Sequence, residues 1–355
     1  MTGANGFLGW HTKLALQEQG VKVQGLAVGQ GFDLESASSA IDGATRAIHI
    51  AGVNRADESE VRDGNIRFAE QLAEALHRAP TPPPVVVYAN STQSTNGSVY
   101  GEAKKRAAEI IAEAASDVGA EFHNVVLPNL FGEHGRPFYN AVTATFSHLL
   151  ARGETPTVDA DKELVLLHAQ NAADLLTGRE PTGGEVRESV SGLLARLETI
   201  SRVYAAGEIP DVSDGFQRDL FNTYRSYTIE SLTPIALTRH ADARGSFFEI
   251  LRSHGGHGQS SFSTTAPGIS RGDHFHRRKI ERFTVLSGAA TISLRKLFTD
   301  RVYDFVLDGE HPGAVDMPTG WSHKITNTGV DTLYTSFWTN DLFDPENPDT
   351  IAEAV

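Results

Sequence analysis

Gly268-Ile-Ser-Arg-Gly-Asp-His274-Phe-His276-Arg-Arg-Lys-Ile-Glu281-Arg-Phe-Thr-Val-Leu-Ser-Gly288 holds the spacing of a metal site. His274 and His276 alternate with one intervening residue, so on a β-strand their imidazoles share a face. Glu281 follows after four intervening residues, at the start of the apolar run Phe283–Leu286. A further donor, His323, lies in Pro318-Thr-Gly-Trp-Ser-His323-Lys-Ile-Thr-Asn327, where a Pro/Gly turn sets it on the next strand. Three imidazoles and a carboxylate suit a borderline divalent ion such as Zn, Fe, Mn, Ni or Co, with Zn the first choice. Read without a metal, the same residues are polar groups lining the mouth of a barrel.

The rest of the 355-residue chain bounds what such a site belongs to. That length suits two domains, each with its own core. Charged residues at 21% and hydrophobic ones at 40% are ordinary for a globular protein. There is no run of 18 apolar residues and no signal-peptide pattern, so a cytoplasmic protein with no membrane partner is expected. A formal net charge of −14 argues against nucleic acid as a general partner. With no cysteine, disulfides, thiolate ligands and Cys nucleophiles are excluded, which leaves His and carboxylate chemistry.

Thr2-Gly3-Ala-Asn-Gly6-Phe7-Leu-Gly9 leads into a helical pattern stopped at Gly20. A Gly-x-x-Gly-x-x-Gly turn entering a helix lets the backbone approach a pyrophosphate and aims the helix N-terminus at it. Only Met1 stands where the first strand of such a fold belongs, so an upstream start is expected. Val21–Val28 alternates as a strand, Ile48–Ala51 reads as a buried one, Asn65 opens a helix to about Arg78, and Val85–Ala89 is again a strand. The order predicts a parallel, doubly wound α/β sheet with its ligand at the strand ends.

Ser91 sits at the end of the strand that begins at Val85, and nine residues on Tyr100-Gly-Glu-Ala-Lys104 begins a helix, with Tyr100 and Lys104 on one face. A nearby ammonium lowers a tyrosine's pKa, so Tyr100 can exchange a proton with a carbonyl while Ser91 hydrogen-bonds the same oxygen. As bare structure, the pair is a Tyr and a Lys on an amphipathic helix. With the glycine turn, the arrangement resembles the extended short-chain dehydrogenase/reductases. That resemblance implies a Rossmann-type domain over residues 1–229 transferring hydride at a sugar-nucleotide carbon. It also implies catalytic roles for Ser91, Tyr100 and Lys104, and cofactor contacts from Gly3, Gly6, Phe7, Gly9, Ala51, Gly52, Tyr100 and Lys104. The second strand ends Ala27-Val-Gly-Gln-Gly31, with neither the acid that favours NAD nor an arginine for NADP. Pro128-Asn129-Leu-Phe-Gly132 looks like the family's substrate-side turn, where Asn129 either binds the sugar or caps a turn.

Near residue 229 helical patterns give way to short β-rich runs, which predict an antiparallel barrel over 230–355. Its two histidine segments match the two-part signature of the cupin barrels. Asp242-Ala-Arg244-Gly245-Ser-Phe247-Phe-Glu249 resembles a segment of deoxysugar epimerase cupins whose arginine approaches nucleotide phosphates; as structure alone, it is a salt-bridged strand start. The Pro/Asp-rich tail 341–350 is expected to pack over an edge or a partner subunit.

The whole chain resembles the bifunctional capsule and O-antigen enzymes of the CapF/WbjC type, including Ala51-Gly-Val-Asn-Arg55, Pro128-Asn-Leu-Phe-Gly132 and Phe343-Asp-Pro…Pro-Asp-Thr350. It implies a UDP-linked 4-keto-6-deoxy-N-acetylhexosamine as substrate, C3 epimerisation in the cupin, C4 reduction by NADPH with NAD left open, and a homodimer formed through the cupin. A 4-reductase whose cupin serves only dimerisation, and a non-enzymatic dinucleotide sensor, are the alternatives.

Overall fold

The computed structural model describes residues 1–355 as two compact units, which interleave along the chain. One comprises Met1–Phe131, Phe138–Ala141 and Glu163–Glu188; the other comprises Gly132–Pro137, Val142–Lys162 and Ser189–Val355. No helix is long and apolar enough to cross a membrane.

The first unit is built on the parallel strands Ala47–His49, Val85–Ser91 and Glu121–Leu127, in that order, with a second three-stranded sheet of Asn129–Phe131, Glu163–His168 and Val186–Ser189. Alternation along Val85–Ser91 shows why the sheet is covered twice. Val86 and Tyr88 pack with Leu72, Leu76, Ala107 and Ile111, from the helices Glu58–Arg78 and Val99–Asp117. Val87 and Ala89 face the other way, onto Leu16 and Leu176 of the helices Phe7–Glu18 and Ala169–Thr177. Side chains that alternate between two faces, each covered by helices, make the doubly wound arrangement.

Two local expectations are corrected. Val21–Val28 is not a strand: Leu26 makes a single parallel bridge to Thr2, which also bridges His49, so one rung stands where a ladder was expected. The long helix begins at Glu58 rather than Asn65, because Asp57 caps it by accepting from the Glu60 amide at 2.9 Å.

In the second unit, two five-stranded antiparallel sheets form the barrel. One runs Gln259–Thr265, Leu333–Thr339, Glu281–Ser287, Gly313–Met317, Ile235–Ala236. The other runs Val302–Asp308, Ala289–Lys296, Trp321–Asn327, Ser270–Phe275, Ile351–Ala352. Phe283, Val285, Ile292, Leu294, Val315, Met317, Ile325 and Leu333 fill the space between them. The preceding helices belong to the same packing unit. Arg225, from the helix Gly215–Arg225, is buried and donates to the Met317 carbonyl at 2.8 Å. Arg282 and Asp316, both buried, form a two-pronged ion pair at 2.6 and 2.9 Å, and Arg282 also donates to the Gly207 carbonyl.

Candidate functional sites

In the first unit, the glycine turn is dictated by close approach. A Cβ on Gly9 would stand 2.1 Å from the Gly3 carbonyl oxygen, and one on Gly3, whose φ is +67°, would stand 2.7 Å from the Ala51 nitrogen. Thr2 ties the turn to the loop after the first strand, its Oγ1 accepting from the amides of Ile50 and Ala51 at 3.1 and 3.2 Å. Gly6 precedes the helix that Phe7 opens. The adjoining loop is held by Asn65, which accepts from the Val53 amide and donates to the Val53 carbonyl. A Cβ on Gly52 would come within 2.9 Å of the Asn65 side-chain oxygen. Gly9 therefore packs on Gly3, Gly3 on Ala51, and Gly52 on Asn65. Asn65 was legible only as a helix residue.

Ser91 closes its strand, and Tyr100 lies in the first turn of the helix Val99–Asp117, capped by the Ser98 hydroxyl, which accepts from Gly101 at 3.0 Å. Ser91 and Tyr100 are hydrogen-bonding neighbours, but burial pushes the Tyr100 phenol up and outweighs that bond. The expected lowering by Lys104 is corrected. Lys104 is buried and donates from Nζ to the Ala89 carbonyl at 2.6 Å, 4.1 Å above the Tyr88 ring. Its burial brings its pKa down to about 7, so the charge that would stabilise a phenolate is itself weakened. Asn129 donates to the Val165 carbonyl at 3.1 Å and stays exposed.

In the barrel, His274 and His323 are direct cross-strand partners, and His276 and Glu281 complete a cluster whose donor atoms all lie within 4.8 Å of one another. His323 Nε2 is 3.2 Å from His274 Nε2 and from Glu281 Oε2, and His276 Nε2 is 2.9 Å from the same carboxylate oxygen. Donors about 2.0–2.1 Å from a tetrahedral ion stand roughly 3.3 Å apart, so these separations suit one divalent cation. A bulge between Gly272 and His274 sets the register; a Cβ on Gly272 would meet the His323 carbonyl at 2.5 Å.

Backbone carbonyls fix two of the rings. His276 Nδ1 donates to the Asp349 carbonyl at 2.6 Å and His323 Nδ1 to that of Trp321 at 3.2 Å, which leaves each Nε2 as the electron-pair donor. Burial, reinforced by the neighbouring imidazoles, lowers His274 to about 4. Burial pushes Glu281 up, but the adjoining His276 and His323 more than offset it and hold the carboxyl well below its ordinary range. A cavity of about 270 Å³ opens over Glu281, walled by Lys279, Ser261, Thr339 and the tail residues Asp341–Phe343 and Asn347–Asp349.

Arg244 stands outside the two sheets, in the small hairpin of His240–Asp242 and Gly245–Phe247. Its guanidinium forks onto Asp242 at 2.6 Å and remains 90% exposed, as in the salt-bridged reading of that segment.

Residues 1–177 match the NAD dependent epimerase/dehydratase family, and residues 240–351 match the polysaccharide biosynthesis C-terminal domain. The UDP-2-acetamido-2,6-beta-L-arabino-hexul-4-ose reductase of Pseudomonas aeruginosa is 32% identical over 373 residues, covering 100% of this chain and 98% of its own. The crystal structure of the capsular polysaccharide assembling protein CapF from Staphylococcus aureus is 29% identical, with a TM-score of 0.61, and covers 100% of this chain and 99% of that one. The spore coat polysaccharide biosynthesis protein SpsL of Bacillus subtilis is 25% identical over 122 residues, 32% of this chain and 81% of its own. The chain thus belongs to the CapF-type family, which joins an NAD dependent epimerase/dehydratase region to a polysaccharide biosynthesis C-terminal domain.

Proposed function

We propose that the chain performs two successive steps on one UDP-linked sugar. Residues 230–355 epimerise C3 of a UDP-2-acetamido-2,6-dideoxy-4-hexulose. Residues 1–229 then reduce the C4 ketone with NADPH, NADH being the other candidate, to UDP-N-acetyl-6-deoxy-L-talosamine, the precursor of UDP-N-acetyl-L-fucosamine. One observation carries this reading: a chain similar along its full length to a hexul-4-ose reductase also holds a four-donor cluster suited to a cation.

The order of steps follows from carbonyl chemistry. The C3 proton is acidic only while C4 is a ketone, because the electrons left on C3 must delocalise onto the C4 oxygen. Reduction therefore comes second. When bound, a reduced nicotinamide would supply the hydride, and a divalent ion, Zn foremost, would supply positive charge to stabilise the C4 oxygen or would brace the barrel. Tyr100 gives the proton that turns the C4 oxygen into a hydroxyl, and its burial keeps that proton in place at neutral pH. Ser91 hydrogen-bonds the same oxygen and orients it. Lys104 positions the helix against the strand through the Ala89 carbonyl and would help to hold the cofactor. His274, His276, Glu281 and His323 hold the cation; Asn129 meets the sugar, and Arg244 leaves Asp242 to meet the diphosphate.

Exposed apolar side chains on the barrel unit, Phe247, Phe262 and Ile269, support a homodimer formed through it. Nucleotide sugars and NADPH are cytoplasmic metabolites, and the reaction is taken to be cytoplasmic. The test is to incubate the UDP-4-keto sugar with protein in deuterium oxide without nicotinamide. Deuterium entering C3 supports the epimerase step; no exchange leaves only a reductase.

A further inference from the structure

Residues 341–350 are exposed with one exception, Asp349, whose side chain is 9% accessible. Its carboxylate accepts three consecutive backbone amides, Arg277 at 2.9 Å and Arg278 and Lys279 at 2.8 Å each. Successive amides converging on one anion form a nest, a strong and directional seat for a carboxylate. Those amides immediately follow His276 in sequence. Asp349 also has φ of +42°, in the left-handed region, so the chain reverses there and the residue's own carbonyl reaches His276 Nδ1 at 2.6 Å. One residue thereby grips the turn after a metal-ligand strand with its side chain and the ligand's ring with its backbone.

The segment around Asp349 is anchored on both sides. Before it, the Phe343 amide donates to Gln259 Oε1 at 2.9 Å, and Lys279 Nζ donates to the Pro348 carbonyl at 3.2 Å. After it, Ile351–Ala352 adds a strand beside the His274 strand, pairing Ala352 with His274 and Ile351 with Phe275. The tail is a wall of the cavity over Glu281 as well.

We infer that Asp349 is a positioning residue for His276: its carboxylate, seated on the 277–279 amides, holds its carbonyl against Nδ1 and so fixes the imidazole with Nε2 free to ligate a cation. This rests on the metal reading above but not on the identity of the sugar. A carboxylate-to-alanine change removes the clamp without touching a ligand. Loss of an outer partner of a ligating histidine typically weakens metal binding by about 10–100-fold.

The test uses the full-length, metal-free protein with nitrogen-15-labelled histidine. Long-range proton–nitrogen spectra of the unsubstituted protein should show His276 as a single tautomer protonated at Nδ1. Asp349→Ala should show a mixture of tautomers and about 10–100-fold weaker Zn²⁺ binding in a chelator competition. Asp349→Asn, which keeps one acceptor oxygen, should recover part of both. A single Nδ1-protonated tautomer and unchanged affinity in Asp349→Ala would overturn the inference. If that variant does not fold, amide hydrogen exchange in the unsubstituted protein decides: protected amides at Arg277, Arg278 and Lys279 are expected, and fast exchange there overturns the clamp. A normal tautomer lock with no C3 exchange would sink the proposed epimerase while leaving this inference standing.

Discussion

His274 and His323 face each other across adjacent antiparallel strands, with their Nε2 atoms 3.2 Å apart. Two lone-pair nitrogens at that distance repel unless a proton or a cation lies between them. Burial lowers both imidazoles, His274 to about 4, so the neutral ligating forms prevail at neutral pH. Zinc should therefore remain bound as pH falls to 6.5, the ordinary histidine value. Elemental analysis after dialysis at stepped pH checks this. His323→Ala and Glu281→Gln should each weaken binding by more than about tenfold, and loss at pH 6.5 would count against a cation here.

In the proposed reaction, Tyr100→Phe removes the proton donor for the C4 oxygen. NADPH oxidation with a UDP-4-keto-hexosamine should fall at least about 100-fold, while C3 exchange continues. Because burial raises this phenol, the acid form persists further into alkaline pH than for a free tyrosine, and the unsubstituted enzyme's reduction rate should decline only above the ordinary range near 10. A parallel loss of both activities would show that the two sites are not separate.

Lys104 gives a stability signature. Its folded pKa is about 7 against 10.5 for the free side chain, so between those values the unfolded chain binds more protons than the native one. Stability contributed by this group then rises with pH from about 7 upward. Urea unfolding between pH 7 and 9 should show that slope, and Lys104→Met should flatten it.

Gly9→Ala places a methyl group where the Gly3 carbonyl stands, 2.1 Å from the ideal Cβ. The turn must open, which should cost about 1–3 kcal/mol and remove dinucleotide binding. Differential scanning calorimetry and NADPH fluorescence titration read the two effects separately.

Much of this was legible because local chemistry and tertiary position coincide. His274, His276, Glu281 and His323 carry their spacing in the sequence, and antiparallel register only had to bring the two segments together. The strand from Val85 was readable as an apolar run, and Tyr100 and Lys104 by their four-residue step. Long-range effects were not legible. The tyrosine's pKa depends on how deeply the fold buries it and on the Lys104 ammonium turning to a carbonyl instead. Asp349 read as one acid in a Pro/Asp-rich tail, since its three amide partners lie about seventy residues earlier. The Val21–Val28 run has strand composition, but a strand forms only beside a partner, and a single residue, Thr2, bridges it.

The proposed reaction comprises two chemical steps in a fixed order on one sugar. The direct measurement is the NMR spectrum of the product made from a UDP-4-keto-6-deoxy-N-acetylhexosamine and NADPH in deuterium oxide, because it reports both stereocentres. The expected product has a C4 hydroxyl together with an inverted C3 that carries deuterium. A product reduced at C4 but retaining its original C3 configuration and proton would contradict it.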